Sequence, residues 1–270
     1  MTIIPSQLID TIRRDPRYHF VPTRSAATWL ECVPDRPDSP LSDIRVRQAI
    51  SLAVDRKALN DAEMAGMSPI GGNWIPEEYA GAITRPVPPF DLAKARQLLT
   101  EAGVASGFDV GNITPLPPYF SWAERVASQL RAVNIRTGVQ QLERATFYEK
   151  LAPGPDRLKG FILQFSGAPG DAASRIRENA VCKGTFSGLC TDEVDSRMAK
   201  YDASTDPTER RRLLEEVQNY LLDNFIMLPV ARNVILNAAG PRLVNTPTDV
   251  IGAIPQYPFA GPYEDIQMKD

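Results

Sequence analysis

Histidine and cysteine are scarce in this chain: its 270 residues include one histidine, His19, and three cysteines. Protein zinc sites take most of their ligands from these two side chains and usually begin with a closely spaced pair. The cysteines stand at positions 32, 182 and 190 and form no Cys-x-x-Cys pair. The sequence therefore predicts no zinc site, and we expect no cofactor.

Motifs of common enzyme classes are also missing. The sequence has no Gly-x-Ser-x-Gly elbow, no His-Glu-x-x-His pair and no phosphate-binding loop that ends in Gly-Lys-Ser/Thr. Asp and Glu together number 33, so some carboxylates will lie close together by chance, and that alone does not indicate acid–base catalysis. We therefore expect a protein that is not an enzyme.

Neither an excess of positive charge nor a long apolar run is present. Lys and Arg number 30 against 33 acids, which argues against a nucleic-acid partner because phosphate binding depends on clustered cations. No apolar stretch approaches the roughly 20 residues that a membrane-spanning helix needs, so we expect no membrane insertion. The first ten residues lack the basic and apolar regions of a secretory leader, and we expect no signal peptide in this chain.

Two of the cysteines bracket a short turn-like segment. Cys182 and Cys190 flank the residues KGTFSG, whose glycines allow the chain to bring the two sulfurs together. A disulfide here would indicate an oxidising compartment, whereas two independent buried thiols are the alternative. In either case Cys32 is left unpaired.

Hydrophobic periodicity alternates between helix and strand along the chain. Asp43, Asp55, Asp91, Thr191 and Asp206 are suited to cap helices at their amino ends. The predicted helices are 42–56, 55–66, 89–103, 121–134, 143–152, 191–205 and 206–225. The predicted strands are 107–113, 135–142 and 160–165, with 226–240 as a strand pair or one bent strand.

The order of these elements predicts an α/β fold. Between residues 107 and 165 strands and helices alternate, which favours a mixed, partly parallel sheet flanked by helices. Open α/β sheets bind ligands beyond the carboxyl ends of their strands. The stretch FSGAPGD, residues 165–171, follows such a strand and leads into a helix. Its glycines permit a sharp turn and a close backbone approach to a ligand.

Four segments, in order, resemble landmarks of the family 5 extracellular solute-binding proteins. They are PLSDIRVRQAISLAVDRKAL (40–59), FDLAKARQLLTEAG (90–103), LRAVNIRTGVQQLERATFYEKL (130–151) and DPTERRRLLEEVQNYLLDNFIMLPV (206–230). The resemblance implies a periplasmic-binding-protein-like (type II) lobe plus fragments of the partner lobe. By this resemblance, residues 1–29 are a remnant of the first lobe and the crossover, 30–234 the second lobe, and 235–270 the return segment.

The resemblance also implies a function. Family members are periplasmic or extracytoplasmic receptors that deliver a small solute to an ABC permease, and they bind it in a cleft between two lobes. This chain resembles only their carboxyl-terminal half, so we expect a truncated substrate-binding component that binds weakly by itself. The alternative is a non-transport interaction protein, or half-receptor, that associates through its uncovered cleft face.

The strand-end stretch departs from the family pattern. In peptide receptors that resemble this chain, the loop carries an acid that anchors the ligand's amino group, and here Ala168 takes that position, with Asp171 at a second acid. Ile162, Leu163 and Gln164 stand where some peptide receptors have an arginine for the carboxylate. This disfavours a plain oligopeptide and leaves a peptide-like compound, an opine or a sugar as the polar solute.

The candidate ligand wall combines this stretch with two other loops. Trp74 and Tyr119 could stack on a sugar or aliphatic stem, or each could pack beneath its own turn. Asp171 could contact the solute or only cap its helix. Arg232 could pair across the hinge or face solvent. The candidate ligand-binding residues are Phe165, Ser166, Gly167, Asp171, Asn73, Trp74 and Tyr119.

Overall fold

The structure of the chain is a computed structural model that describes residues 2–4, 8–34, 36–152, 156–166, 170–189, 191–246 and 263–269. The strands are β1 (Thr2–Ile3), β2 (His19–Val33), β3 (Phe108–Pro115), β4 (Ile135–Val139), β5 (Gly160–Ser166) and β6 (Met227–Ala239). The helices are α1 (Ile9–Arg14), α2 (Ile44–Ala53), α3 (Arg56–Met64), α4 (Leu92–Glu101), α5 (Phe120–Arg131), α6 (Arg144–Leu151), α7 (Ala172–Asn179), α8 (Asp192–Ala203) and α9 (Pro207–Asp223).

The helices begin where short polar side chains satisfy the free N–H groups of the first turn. The Asp43 carboxylate accepts from the N–H of Arg45, and the Asp91 carboxylate accepts from the N–H of Lys94. Gly103 follows α4 with a φ of 77°, the left-handed conformation that glycine adopts without a steric cost. Asp55, Thr191 and Asp206 cap α3, α8 and α9 in the same way as predicted.

Within the described residues, six strands form one mixed sheet in the order β1-β6-β2-β5-β3-β4. β3 is parallel to both β4 and β5, whereas β2 is antiparallel to β5 and β6. The predicted α/β fold with a mixed sheet is therefore confirmed. β6 is one strand, and its register with β2 shifts between Thr28 and Trp29, opposite Ala231 and Pro229.

Helices cover both faces of this sheet because side chains alternate along each strand. On one face, Leu30, Leu163 and their neighbours pack against α2, α3, α4 and α5. On the other face, Trp29 packs against α7, α8 and α9, and Ile162 packs against α6. A parallel strand buried on both faces reads as a continuous hydrophobic run, which is why FIL in β5 shows no alternation.

Two long strands continue past the end of β5. Residues 27–31 of β2 pair with β5 and β6 together, and residues 32–33 pair with β5, whereas residues 19–26 pair with β6 and not with β5. Residues 19–26 of β2 and the residues of β6 opposite them form a two-stranded ribbon. The chain enters the sheet through the β2 strand of this ribbon and leaves it through the β6 strand, and the ribbon extends beyond the carboxyl ends of the parallel strands. The predicted boundaries at 29/30 and 234/235 fall inside β2 and β6, and the division into lobe and flanking segments stays a prediction.

A buried carboxylate at the centre of the sheet fastens the cysteine-containing loop. Glu31 of β2 accepts hydrogen bonds from the Gln164 side-chain amide at 2.8 Å and from the Leu189 N–H at 2.7 Å. The Gln164 amide also donates to the Phe186 carbonyl at 2.9 Å. A Cβ at Gly188 would lie 2.6 Å from Glu31 Oε2, so glycine is needed for this close approach.

The cysteines divide between this loop and the core. Cys182 is disulfide-bonded, whereas Cys32 is a buried free thiol, and burial raises its pKa to about 12. Cys190 lies outside the described residues. The pairing of Cys182 with Cys190 therefore stays a prediction.

Burial changes the ionisation of Glu31. Loss of water raises its pKa to about 7, and the hydrogen bonds from Gln164, Leu189 and Gly188 and the charge of Arg157 act in the opposite direction. The folded protein thus holds a proton on this side chain between about pH 4.5, its ordinary pKa, and about pH 7, where the unfolded chain does not.

This proton makes folding stability depend on pH. A raised carboxyl pKa contributes stability that is fully present below the unfolded pKa and is lost as the pH rises through the folded value. We expect the free energy of unfolding, from urea denaturation, to be lower at about pH 8 than at about pH 5. In Glu31→Gln this fall should be largely absent, whereas Glu63→Gln, which removes a different buried carboxylate, should keep it. An unchanged fall in Glu31→Gln would contradict the assignment.

Candidate functional site

The parallel arrangement of β3, β4 and β5 brings three loops to one edge of the sheet. The loop after β3 is tied to β5 by a hydrogen bond from the Leu116 N–H to the Leu163 carbonyl at 2.9 Å. The loop after β4 is tied to β3, because the Gln140 N–H donates to the Ile113 carbonyl at 2.9 Å. We call this the carboxyl edge, formed by residues 116–119, 140–143 and the described part of 165–171.

An aromatic stack lies at the carboxyl edge. The rings of Tyr119 and Phe165 are nearly parallel, at 13°, with centroids 3.5 Å apart. Trp122 of α5 meets the Phe165 ring edge-on, with centroids 5.9 Å apart. Trp122 is buried, whereas Tyr119 and Phe165 are half-buried. The structure thus brings two predicted site residues together, and part of each side chain is exposed.

The acid of the strand-end stretch caps a helix. Asp171 accepts from the Ser174 N–H at 2.7 Å, and its own N–H donates to Ser174 Oγ at 3.1 Å, which completes a capping box on α7. Capping fixes the orientation of this carboxylate, which remains exposed at the edge. Ser166 ends β5, and Gly167 lies outside the described residues. Their role in binding stays a prediction.

Asn73 and Trp74 lie in the interior. Asn73 is 3% exposed, and its amide donates to the Ile83 carbonyl at 2.9 Å and to Gln218 Oε1 at 3.1 Å. Trp74 is 1% exposed and meets Trp29 edge-on, with centroids 5.4 Å apart. A solute could reach these two side chains only if they left these contacts, so their predicted ligand role has no support from the geometry.

The structure also separates Trp74 from the aromatic stack. Trp29, which Trp74 contacts, lies opposite Gln164 in the register of β2 and β5. The neighbouring residue Phe165 points to the other face of the sheet, where Tyr119 meets it. The predicted wall is therefore not one continuous surface: its aromatic part lies on one side of β5 and the Asn73–Trp74 loop lies on the other.

A charged group that the candidate wall did not include lies on the Asn73–Trp74 side of the edge. Arg232 of β6 pairs through Nη2 with Glu78 and, at 3.7 Å, through Nη1 with Glu77. The sequence left open whether Arg232 pairs across the hinge or faces solvent. In the structure its side chain is 13% exposed and pairs with glutamates of the 69–81 loop. In the sequence, the local feature that could have indicated an ion pair here is the pair of consecutive acids, Glu77 and Glu78, in the segment GGNWIPEEY.

Within the described ranges, no three His, Cys, Asp or Glu side chains are grouped so that they could hold a metal ion. Over the same ranges, every helix is too short or too polar to cross a bilayer.

Comparison with known families gives one match that covers more than half of the chain. Residues 1–161 match the family described as "Bacterial extracellular solute-binding proteins, family 5 Middle". These residues include β1 to β4, α1 to α6 and the first two residues of β5, whereas β6 lies outside the match.

Curated relatives are similar to this chain over much of its length. It is 26% identical over 239 residues to di/tripeptide-binding protein 1 of Pseudomonas aeruginosa, covering 84% of this chain and 44% of the relative. It is 26% identical over 218 residues to heme-binding protein A of Haemophilus influenzae, covering 76% of this chain and 39% of the relative. The chain spans less than half the length of these relatives.

Solved structures share the fold. NikA from Brucella suis, in complex with Fe(III)-EDTA, has a TM-score of 0.79 at 21% identity, covering 98% of this chain and 56% of NikA. A dipeptide-binding protein from Pseudoalteromonas, in complex with Met-Leu, has a TM-score of 0.77 at 21% identity, covering 98% of this chain and 53% of that protein. The fold is thus that of the type II periplasmic binding proteins. The chain belongs to the bacterial extracellular solute-binding proteins of family 5.

Proposed function

We propose that this chain is the solute-binding part of an ABC importer and that its carboxyl edge forms one wall of the cleft that holds a polar solute. The protein works outside the cytoplasm and delivers the solute to a permease. Its role is binding rather than catalysis. Membership of the solute-binding family supports this function, and the arrangement of the edge supports the position of the site.

The observation that carries the proposal is the direction of the ribbon. β2 and β6 extend as the ribbon past the end of the sheet where β3, β4 and β5 finish, so the ribbon and the carboxyl edge lie at the same end. A second lobe joined through this ribbon would then lie opposite the carboxyl edge. Open α/β sheets hold ligands beyond these strand ends, and two-lobed receptors close over a ligand by hinge bending. The half-buried Tyr119–Phe165 stack is accessible at that end.

The names of the relatives favour a peptide-like solute. Proteins similar to this chain are named for di/tripeptides, glutathione and heme. A sugar and an opine, which the sequence also left open, have no such counterpart among them. The partly accessible rings of Tyr119 and Phe165 suit the apolar side chain or backbone of a short peptide.

The alternative, association through an uncovered cleft face, has less support. Such a face would present a contiguous apolar patch. The large apolar side chains that stand exposed among the described residues are Leu8, Tyr18, Ile44, Val87, Phe90, Val244 and Met268. None of them lies in the loops of the carboxyl edge.

The first prediction concerns the chain alone. Ligand sites usually bury 70% or more of a small ligand, and one wall cannot do so. We therefore expect isothermal titration of the 270-residue chain with trialanine to show no micromolar binding, whereas chemical-shift titration should detect a weak, millimolar interaction at the carboxyl edge. Micromolar binding by the isolated chain would contradict the one-wall geometry.

The second prediction concerns the aromatic stack. Tyr119→Ala removes half of the stacked surface, whereas Tyr119→Phe keeps the ring and removes only the hydroxyl. We expect the first variant to weaken trialanine binding by about fivefold, since aromatic packing contributes about 1 kcal/mol beyond area burial. Tyr119→Phe should bind as the unmodified chain does.

Chemical-shift titration measures both variants, and Tyr18→Ala, at an exposed position before β2, is the matched control. Equal binding by Tyr119→Ala and Tyr18→Ala would remove the stack from the site.

A further inference from the structure

Within the described residues, each hydrogen bond to the buried carboxyl group of Glu31 comes from an N–H donor. The Gln164 amide nitrogen lies 2.8 Å from Oε2, the Leu189 nitrogen lies 2.7 Å from Oε1, and the Gly188 N–H also donates. Such donors suit a carboxylate, which only accepts, whereas a protonated carboxyl group has an O–H that needs an acceptor. Burial acts in the opposite direction, because it disfavours a charge. The group is therefore balanced between its two forms.

The surroundings of Glu31 compensate little for a negative charge. Arg157, in the segment before β5, acts on Glu31 through its charge, yet within the described ranges its buried Nε and Nη2 atoms have no hydrogen-bond partner. The other titratable side chains on the elements packed around Glu31 are Cys32 of β2, Tyr148 and Lys150 of α6, Arg175 and Glu178 of α7, and Lys183. Arg175 and Glu178 pair with each other at 2.9 Å. An ionised Glu31 in this position is a buried carboxylate without a contacting counter-charge, which is costly.

Glu31 and Gln164 hold segment 186–189 against the sheet. The Gln164 amide, besides its bond to Glu31, donates to the Phe186 carbonyl at 2.9 Å. A Cβ at Gly188 would lie 2.6 Å from Glu31 Oε2, so the backbone of the segment lies directly against the carboxyl group. The contact between this segment and the sheet therefore depends on the state of one carboxyl group.

The same segment supports the aromatic stack of the carboxyl edge. Phe186 and Leu189 pack against the buried apolar cluster between β5 and α6, and Tyr119 and Phe165 pack against that cluster as well. Gln164, which loses two hydrogen-bond acceptors when the segment leaves, is the residue before Phe165 in β5. Release of the segment would thus remove apolar neighbours from the stack and would loosen the strand that carries one of its rings.

Linkage between protonation and local opening gives the direction of the pH effect. When Gly188 and Leu189 leave the sheet, water reaches Glu31, and its pKa falls from about 7 toward its ordinary value of 4.5. The closed form therefore binds the proton more tightly than the open form does. Acid favours the closed form, and a rise in pH favours the open form, in which water solvates the carboxylate.

We propose that Glu31 is a positioning residue for the solute site and that its ionisation releases segment 186–189 from the sheet. The closed segment supports the Tyr119–Phe165 stack, and the open segment does not, so the affinity for solute falls as the pH rises. The release itself stands on the contacts around Glu31. Its effect on the solute rests on the proposed function.

Amide hydrogen exchange of the 270-residue chain tests the release. Protection of the Leu189 N–H, corrected for the intrinsic effect of pH on exchange, should fall by about tenfold or more between about pH 5 and about pH 8, since each unit of pKa difference allows tenfold. The Cys182 N–H, which donates to the half-buried carboxylate of Asp195 at 2.9 Å, is the internal control and should keep its protection. In Glu31→Gln the protection of Leu189 should not depend on pH, whereas Glu63→Gln should behave as the unmodified chain does.

Two further variants separate release from its alternatives. Gly188→Ala pushes the segment away from the carboxyl group and should give, already at acid pH, the low Leu189 protection of the open form. Gly240→Ala is its matched control, because a Cβ there meets nothing within 4 Å. Arg157→Gln removes the charge that favours the ionised form and should move the loss of protection to higher pH. If protection is lost only in Arg157→Gln, the ionised Glu31 pairs with Arg157 instead, and release is wrong.

Chemical-shift titration with trialanine at the same two pH values separates this inference from the proposed function. Trialanine should bind more weakly at the higher pH, and Glu31→Gln should keep only the part of this change that comes from the titration of trialanine itself. If Leu189 protection follows pH but trialanine shifts no resonance at the carboxyl edge, the proposed function fails and the release stands. If trialanine binds there while Leu189 protection ignores pH, the release is wrong and the solute site stands. If protection follows pH and binding does not, the positioning role is wrong.

Discussion

The hydrogen-bonded position of β5, between antiparallel β2 and parallel β3, is the constraint on which the rest of the structure depends. Parallel pairing puts the ends of β3, β4 and β5 on one edge, and antiparallel pairing with β2 makes the ribbon leave at that same edge. The loops of the carboxyl edge and the ribbon therefore lie at the same end of the sheet. A shift of β5 by one residue would exchange its two faces and would bury Gln164 where Phe165 now meets Tyr119.

The interior supports this edge through polar groups as well as packing. Gln164, the residue before Phe165 of the aromatic stack, and Glu31 fasten segment 186–189 to the sheet. Asn73 and Gln218 fasten the loop that carries Glu77 and Glu78 in a similar way, by hydrogen bonds between distant parts of the chain. Buried polar networks of this kind specify one arrangement when every member is satisfied. Segments 186–189 and 73–83 are consequently held by contacts with the core.

Much of the fold could be predicted from local sequence features, whereas contacts between residues far apart in the sequence could not. The caps at Asp43 and Asp91 and the glycine after α4 act within one turn, so the sequence alone predicted them. The burial of Trp74 depends on Trp29 in a strand 45 positions earlier, and the pairing of Glu78 with Arg232 spans 154 positions. No local sequence pattern predicts either of these two contacts. The family resemblance predicted the lobe, but it gave no sign that the candidate wall would be divided between two faces of β5.

The proposed function requires that solute binds beyond the strand ends, against the Tyr119–Phe165 stack. Intermolecular nuclear Overhauser effects between trialanine methyl protons and the aromatic protons of the chain test this contact. We expect transfer to the rings of Tyr119 and Phe165, whose centroids lie 3.5 Å apart and which would respond together. Transfer confined to rings far from the carboxyl edge, such as Tyr201 or Tyr220 on α8 and α9, would contradict it.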